Sequence, residues 1–196
     1  MISNTDQSTQ SPTPSSNLPD VIDADTGNTE FQFITFSIGS EDYGVDILAV
    51  REIIAWSSVT HLPNTKDYVR GVINLRGSIL PVFDLRCRFG MGLTEATGTH
   101  VIIIVTVKGR LIGILADSVS QILMINESEI SGVPESGLLV DQEYLGGFAT
   151  SDTRMVALLD VECLFDPNIL IESIEEARSA EMKVEESENS ETEAPR

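Results

Sequence analysis

Two aspartates, Asp84 and Asp160, stand 76 positions apart, each closing an apolar run of strand character, Ile79 to Phe83 and Met155 to Leu159. Carboxylates that a repeat brings together can share one proton, the arrangement used by aspartic hydrolases. The neighbouring residues argue against that chemistry. Asp84-Leu85-Arg86 and Asp160-Val161-Glu162 lack the small hydroxyl and the glycine such a site uses, and each aspartate stands where a short helical turn begins. N-capping, in which the carboxylate accepts otherwise exposed amides, is the plainer reading. Asp25-Thr26-Gly27 does spell the hydrolase signature, but it lies in a polar stretch without flanking apolar strands and reads as coincidence.

Other catalytic chemistries find less support. His61 and His100 are the only histidines, each beside a strand boundary and without a nucleophile motif, so both read as structural or solvated. Gly-x-Ser-x-Gly is absent, and the glycines at 71, 77, 90 and 92 are not followed by the lysine that would reach a phosphate. Cys87 and Cys163 occupy matching sites and could in principle bond. Two cysteines in a chain without an export signal are expected instead to be buried thiols, and neither has a partner at zinc-ligand spacing. No enzyme activity, cofactor or metal is expected.

Arg76, inside Asn74-Leu75-Arg76-Gly77, is the most suggestive single side chain. A planar guanidinium beside a glycine in an exposed loop can take a partner's carboxylate bidentately, whereas an internal ion pair with Asp84 or Asp152 would make it structural. In Val50-Arg51-Glu52-Ile53, strand alternation would set Val50 and Glu52 on one face and Arg51 and Ile53 on the other. A mixed patch or a solvated edge strand explains that pattern.

The elements that must position these residues come in two copies. Tyr68, Gly71, Asp84, Cys87 and Phe89 recur as Tyr144, Gly147, Asp160, Cys163 and Phe165 at the offset of 76, and Gly44, Val50 and Ile53 recur as Gly113, Val119 and Ile122 at 69. Phe31 to Ile38, a turn at Gly39 to Asp42 and Tyr43-Gly44-Val45 predict a hairpin. Val101 to Val107, Lys108-Gly109 and Arg110 to Ala116 predict its twin with a two-residue loop. Each half then runs hairpin, irregular strand, glycine-bearing loop, strand and short helical turn. Neither half alone can build a large core, so two small β-barrels sharing an apolar seam are the economical architecture. The copies differ where Arg76 is matched by Asp152. A shared scaffold with one cationic loop suggests a recognition surface.

The chain of 196 residues carries a net charge of −19, unevenly spread. Residues 1–30 lack aromatic, lysine and arginine side chains, and residues 172–196 are acidic and polar, so both are expected to be largely disordered arms. Residues 31–171 hold 17 acidic against 9 basic side chains, a balance of −8. Such a surface repels phosphate backbones and anionic lipid, so nucleic acid is not an expected partner. Met1 to Gln10 shows no secretory pattern, and apolar runs such as Val101 to Val105 fall far short of the ~18 residues of a membrane span. A cytoplasmic protein without membrane insertion is expected. One helix is predicted near the end, opened by Asp166-Pro167 with Leu170, Ile174 and Ala177 on one face.

From Phe31 to Phe165 the sequence resembles the CheW family of bacterial chemotaxis coupling proteins. The matching text includes Tyr43-Gly44-Val45-Asp46-Ile47-Leu48, Val50-Arg51-Glu52-Ile53, Gly71-Val72-Ile73-Asn74-Leu75-Arg76-Gly77, Pro81-Val82-Phe83-Asp84-Leu85-Arg86, Asp117-Ser118-Val119 and Tyr144-Leu145-Gly146-Gly147. The resemblance implies a mainly β fold of two intertwined five-stranded SH3-like barrels with a short C-terminal helix. It further implies a non-catalytic adaptor that links a chemotaxis histidine kinase, through a regulatory domain of the CheA type, to the cytoplasmic tip of chemoreceptors. Carried over by residue, a receptor-facing surface would include Val50, Glu52, Arg76, Val101 and Ile122, and Gly71 would belong to surface affecting kinase association. Such an adaptor is expected to be monomeric when free and recruited to membrane-associated receptor arrays. Flagellar output and a pilus or other behavioural output stay open.

Overall fold

The computed structural model describes residues 30–63, 65–134, 140–151 and 153–165. The first half supplies β1 (Glu30–Ile38), β2 (Glu41–Asp46), β3 (Val50–Ala55), β4 (Val69–Leu75), β5 (Ser78–Asp84) and the short helix α1 (Leu85–Arg88). The second supplies β6 (Val101–Val107), β7 (Arg110–Ala116), β8 (Ser118–Asn126), β9 (Leu145–Ser151), β10 (Arg154–Leu159) and α2 (Val161–Leu164). Each half keeps the order expected from its residues except at the glycine-bearing loop, most of which is a further strand, β4 or β9, because Gly71 and Gly147 take extended backbone of positive φ that lets the chain stay paired. The expected disordered arms, Asp25-Thr26-Gly27, Asp152 and the helix opened by Asp166-Pro167 lie outside the described residues.

Local chemistry sets the hairpins. Lys108 and Gly109 take φ of 48° and 79° between Val107 and Arg110, the left-handed pair of a type I′ turn that matches strand twist. The first hairpin is tighter than expected: pairing runs on to Ile38 opposite Glu41, so only Gly39 and Ser40 turn, and Glu41 and Asp42 join β2. Arg76 and Gly77, at φ of 53° and 89°, close β4 onto β5 in the same way.

The strands then pair across the repeat. One sheet runs β8-β1-β2-β10-β9 and the other β3-β6-β7-β5-β4, so each takes its leading hairpin from one half and its remaining three strands from the other. The joins are parallel: β10 along β2 through Val156–Asp42, and β5 along β7 through Val82–Gly113. These SH3-like sheets are intertwined, and among the described pairings each leaves two edge strands, so neither ladder closes into a complete cylinder. Between them lies one shared core containing Phe36, Phe83, Ile103, Ile114 and Phe165, with Phe83 and Phe165 rings 4.8 Å apart. The seam is apolar as expected, because neither half can bury its strands without the other.

Candidate functional site

Arg76 sits at the tip of the β4–β5 turn, which Asn74 Oδ1 braces by accepting the Gly77 amide at 2.8 Å. Its side chain is 79% exposed and donates to Glu52 Oε2 at 2.9 Å, spanning from the turn to the edge strand β3. The internal tie that the sequence left open thus exists, but to Glu52 and not to Asp84. Asp84 instead has Arg70 at 3.7 Å. Two of the residues carried over for receptor contact are therefore brought together although they are 24 positions apart.

The other three are more scattered. Along β3 exposure alternates as expected, with Val50 and Glu52 half-buried and Arg51 and Ile53 exposed, although a bulge at Arg51 shifts the register with β6. Val50 lies opposite Val105 and Ala55 opposite Val101, so Val50 and Val101 occupy opposite ends of the β3–β6 ladder. Ile122 lies on β8 of the other sheet and is 54% exposed. Gly71 is buried, with φ of 136°, and a Cβ there would fall 2.2 Å from the Thr60 carbonyl oxygen. Any influence of Gly71 on a partner must pass through backbone shape, since it presents no side chain and little surface.

The repeat places an uncharged counterpart at the second edge. Glu52 corresponds to Gln121, and Gln121 Nε2 donates to Ser151 Oγ at 2.8 Å, linking edge strand β8 to β9 as Arg76–Glu52 links β3 to the β4–β5 turn. Ser151 matches Leu75 by the offset of 76, so the second edge holds a neutral link beside the matched position and not a copy of the ion pair.

Residues 32–167 match the model of the CheW-like domain. The chain belongs to the CheW-like family. It is 38% identical over 134 residues to chemotaxis protein CheW of Rhizobium meliloti, covering 68% of this chain and 86% of that protein. To chemotaxis protein CheW of Klebsiella aerogenes it is 38% identical over 133 residues, covering 68% and 80%. A crystal structure of the scaffolding protein TtCheW from Thermoanaerobacter tengcongensis superposes with a TM-score of 0.66 at 34% identity, covering 71% of this chain and 90% of that one.

In this CheW-like chain the paired aspartates are helix caps. Fully buried Asp84 accepts from the Cys87 amide at 3.2 Å and from the Thr94 amide and hydroxyl, each at 2.8 Å. Asp160 accepts the Glu162 and Cys163 amides at 2.9 and 3.1 Å. The hydrolase alternative is not favoured. The expectation of buried thiols needs correction: Cys87 is half-buried and Cys163 exposed, because each falls on the outer side of a one-turn helix whose inner side faces the core. Both are free. Burial first, then Asp84 and Asp67, push the Cys87 thiol up against the opposing pull of Arg70, while a hydrogen bond to Asp160 leads the upward shift at Cys163. His61 is exposed. His100 Nδ1 accepts the Thr97 amide at 3.0 Å, which leaves its Nε2 facing Asp117 at 3.5 Å.

Sequence reasoning missed two devices. Asp117 gathers Arg86 Nη2 at 2.6 Å, the Gly39 amide at 2.7 Å and His100, tying both halves at one carboxylate. Arg88 lies over the rings of Tyr68 and Tyr144, 4.6 and 4.9 Å from their centroids. Those tyrosines are matched positions of the repeat, so the guanidinium joins the two copies. The constant offset does flag the tyrosines, but nothing in sequence marks Arg88 as their bridge. Among the described residues no helix is long and apolar enough to cross a membrane.

Proposed function

We propose that this CheW-like chain is a chemotaxis scaffold that couples a histidine kinase to the cytoplasmic tips of chemoreceptors and catalyses no reaction. Its membership of a family whose relatives are named as chemotaxis and scaffolding proteins supports this reading. The Arg76–Glu52 clasp is the observation that carries the receptor contact: an exposed cation held in a left-handed turn by a single carboxylate. A receptor carboxylate can compete for that guanidinium, while Val50, Val101 and Ile122 supply apolar contact around and beyond it. Kinase association would involve the β3–β4 connection that Gly71 shapes through its approach to Thr60. Coupling needs only a differential affinity of a few kcal/mol for the partner's signalling states, so modest interfaces suffice. The adaptor would work in the cytoplasm, recruited to receptor arrays and monomeric when free.

The test is co-purification with a kinase regulatory domain and a receptor cytoplasmic fragment, singly and together. Retention of both partners in one complex is expected. Retention of only one, however strongly, would reject bridging.

A further inference from the structure

Matched places in the two sheets are filled differently. In the sheet that carries Arg76 and Glu52, apolar Leu80 and Ile104 belong to one cluster, with Leu75 and Leu111 packed against it. At the corresponding positions of the other sheet stand Thr35, Val156, Ser151 and Asp42, and there a half-open cavity of about 240 Å³ remains. Asp42 is its acidic side: the carboxylate is only 16% exposed, and Arg154 Nη1 reaches it at 3.2 Å from a side chain 73% exposed. A sheltered acceptor is thus covered by a loosely held cation of the chain itself.

We propose that this cavity binds a single basic side chain, lysine or arginine, from a protein partner, which displaces Arg154 from Asp42. Three observations converge on that ligand. The acceptor is fixed on β2 in register with β10, whereas its present donor is largely solvated and holds its place weakly. Ser120, Ser151 and Thr153 line the same cavity, and hydroxyl oxygens, that of Ser151 through its second lone pair beside the Gln121 bond, can accept from the remaining donors of a guanidinium or ammonium group. The volume is below the roughly 300 Å³ at which drug-sized pockets begin, so it suits one side chain better than a free cofactor. The balance of −8 over residues 31–171 favours the approach of cationic segments, and Asp42 supplies the local address. The site lies on the other sheet from Arg76, and its argument does not rest on the receptor and kinase reading.

The experiment titrates the full chain with blocked tripeptides, one with a central lysine, one with arginine and one with glutamate, following amide shifts by NMR at about 0.15 M salt. The basic peptides should shift resonances around Asp42, Gln121 and Arg154, and the glutamate peptide should not. Asp42→Asn should weaken binding about tenfold or more, since it removes a sheltered charged acceptor. Arg154→Ala should strengthen it roughly two- to fivefold by removing the internal competitor. Glu41→Gln makes the same charge change one residue away and should leave binding unaltered. Opposite signs for Asp42→Asn and Arg154→Ala are the decisive outcome, and the solvated position of Arg154 keeps that arm readable even if Asp42→Asn fails to fold. Equal effects of Glu41→Gln and Asp42→Asn, or no gain in Arg154→Ala, would overturn the proposal. So would a free diamine that binds as well as the peptides, because the site would then belong to a small cation.

Discussion

Arg76 combines a stabilising role too small to explain its geometry with an exposure suited to recognition. Because the guanidinium is 79% exposed, its pair with Glu52 contributes no more than about 1 kcal/mol. Arg76→Ala is therefore expected to lower the denaturant midpoint only marginally while weakening capture of a receptor fragment, and parallel losses of folding and capture would make it a structural tie. Asp84 is the opposite case. Burial and its three hydrogen bonds make Asp84→Asn expected to cost roughly 1–3 kcal/mol, read as a fall in thermal midpoint. Tyr43 sets an alkaline limit: burial first, with the charge of Glu41 added, pushes its phenol up to about 12. A folded-state value above the unfolded one near 10 favours the protonated phenol in the fold. That stabilisation is complete below about pH 10 and is lost as pH rises through about 12, on the order of 2 kcal/mol. Tyr43→Phe keeps the ring between Phe36 and Phe89 and should flatten the alkaline decline of the unfolding free energy.

At the level of the element, two glycines in one hairpin separate conformational strain from lack of space. Gly77 has φ of 89° but nothing within 4 Å of where an added methyl would sit, so Gly77→Ala should cost about 1 kcal/mol from backbone strain alone. Gly71 adds a collision with the Thr60 backbone, which is itself paired with Val72, and the β3–β4 connection must give way. Gly71→Ala should therefore cost at least twice as much as Gly77→Ala in urea unfolding. It should also loosen exchange protection of the Thr60 and Val72 amides, whose mutual hydrogen bonds at 2.9 and 2.8 Å tie the β3–β4 connection down. Kinase association that falls in Gly71→Ala would then report displaced backbone and not a lost side-chain contact.

For the whole molecule, exchange of hairpins between halves makes each sheet depend on both copies. Residues 30–89 and 98–165 expressed separately are each expected to show little native strand signal, because β1–β2 would lack β8, β9 and β10, and β6–β7 would lack β3, β4 and β5. Mixing the fragments should restore the fold, measured by circular dichroism and amide dispersion. Independent folding of either fragment would mean that strands can pair within a half.

Residue types and local order carried much of this in plain view. The two-residue Lys108-Gly109 loop and the capping places of Asp84 and Asp160 depend on neighbours a few positions away, and the offsets of 76 and 69 stand in the text itself. The amino-acid sequence by itself thus determined four strands of each half, the duplication and the family resemblance, while β4 and β9 read as loop and are strands only through their pairing. Partner choice over long distances was decided only in three dimensions. Glu52 reaching Arg76, Arg88 entering between Tyr68 and Tyr144, and Asp42 meeting Arg154 across 112 positions leave no periodic trace. A repeated sequence is equally consistent with strands pairing inside each copy or across copies, and the shared burial of Phe36, Phe83, Ile103 and Phe165 is what makes the crossed arrangement the one that excludes water from both.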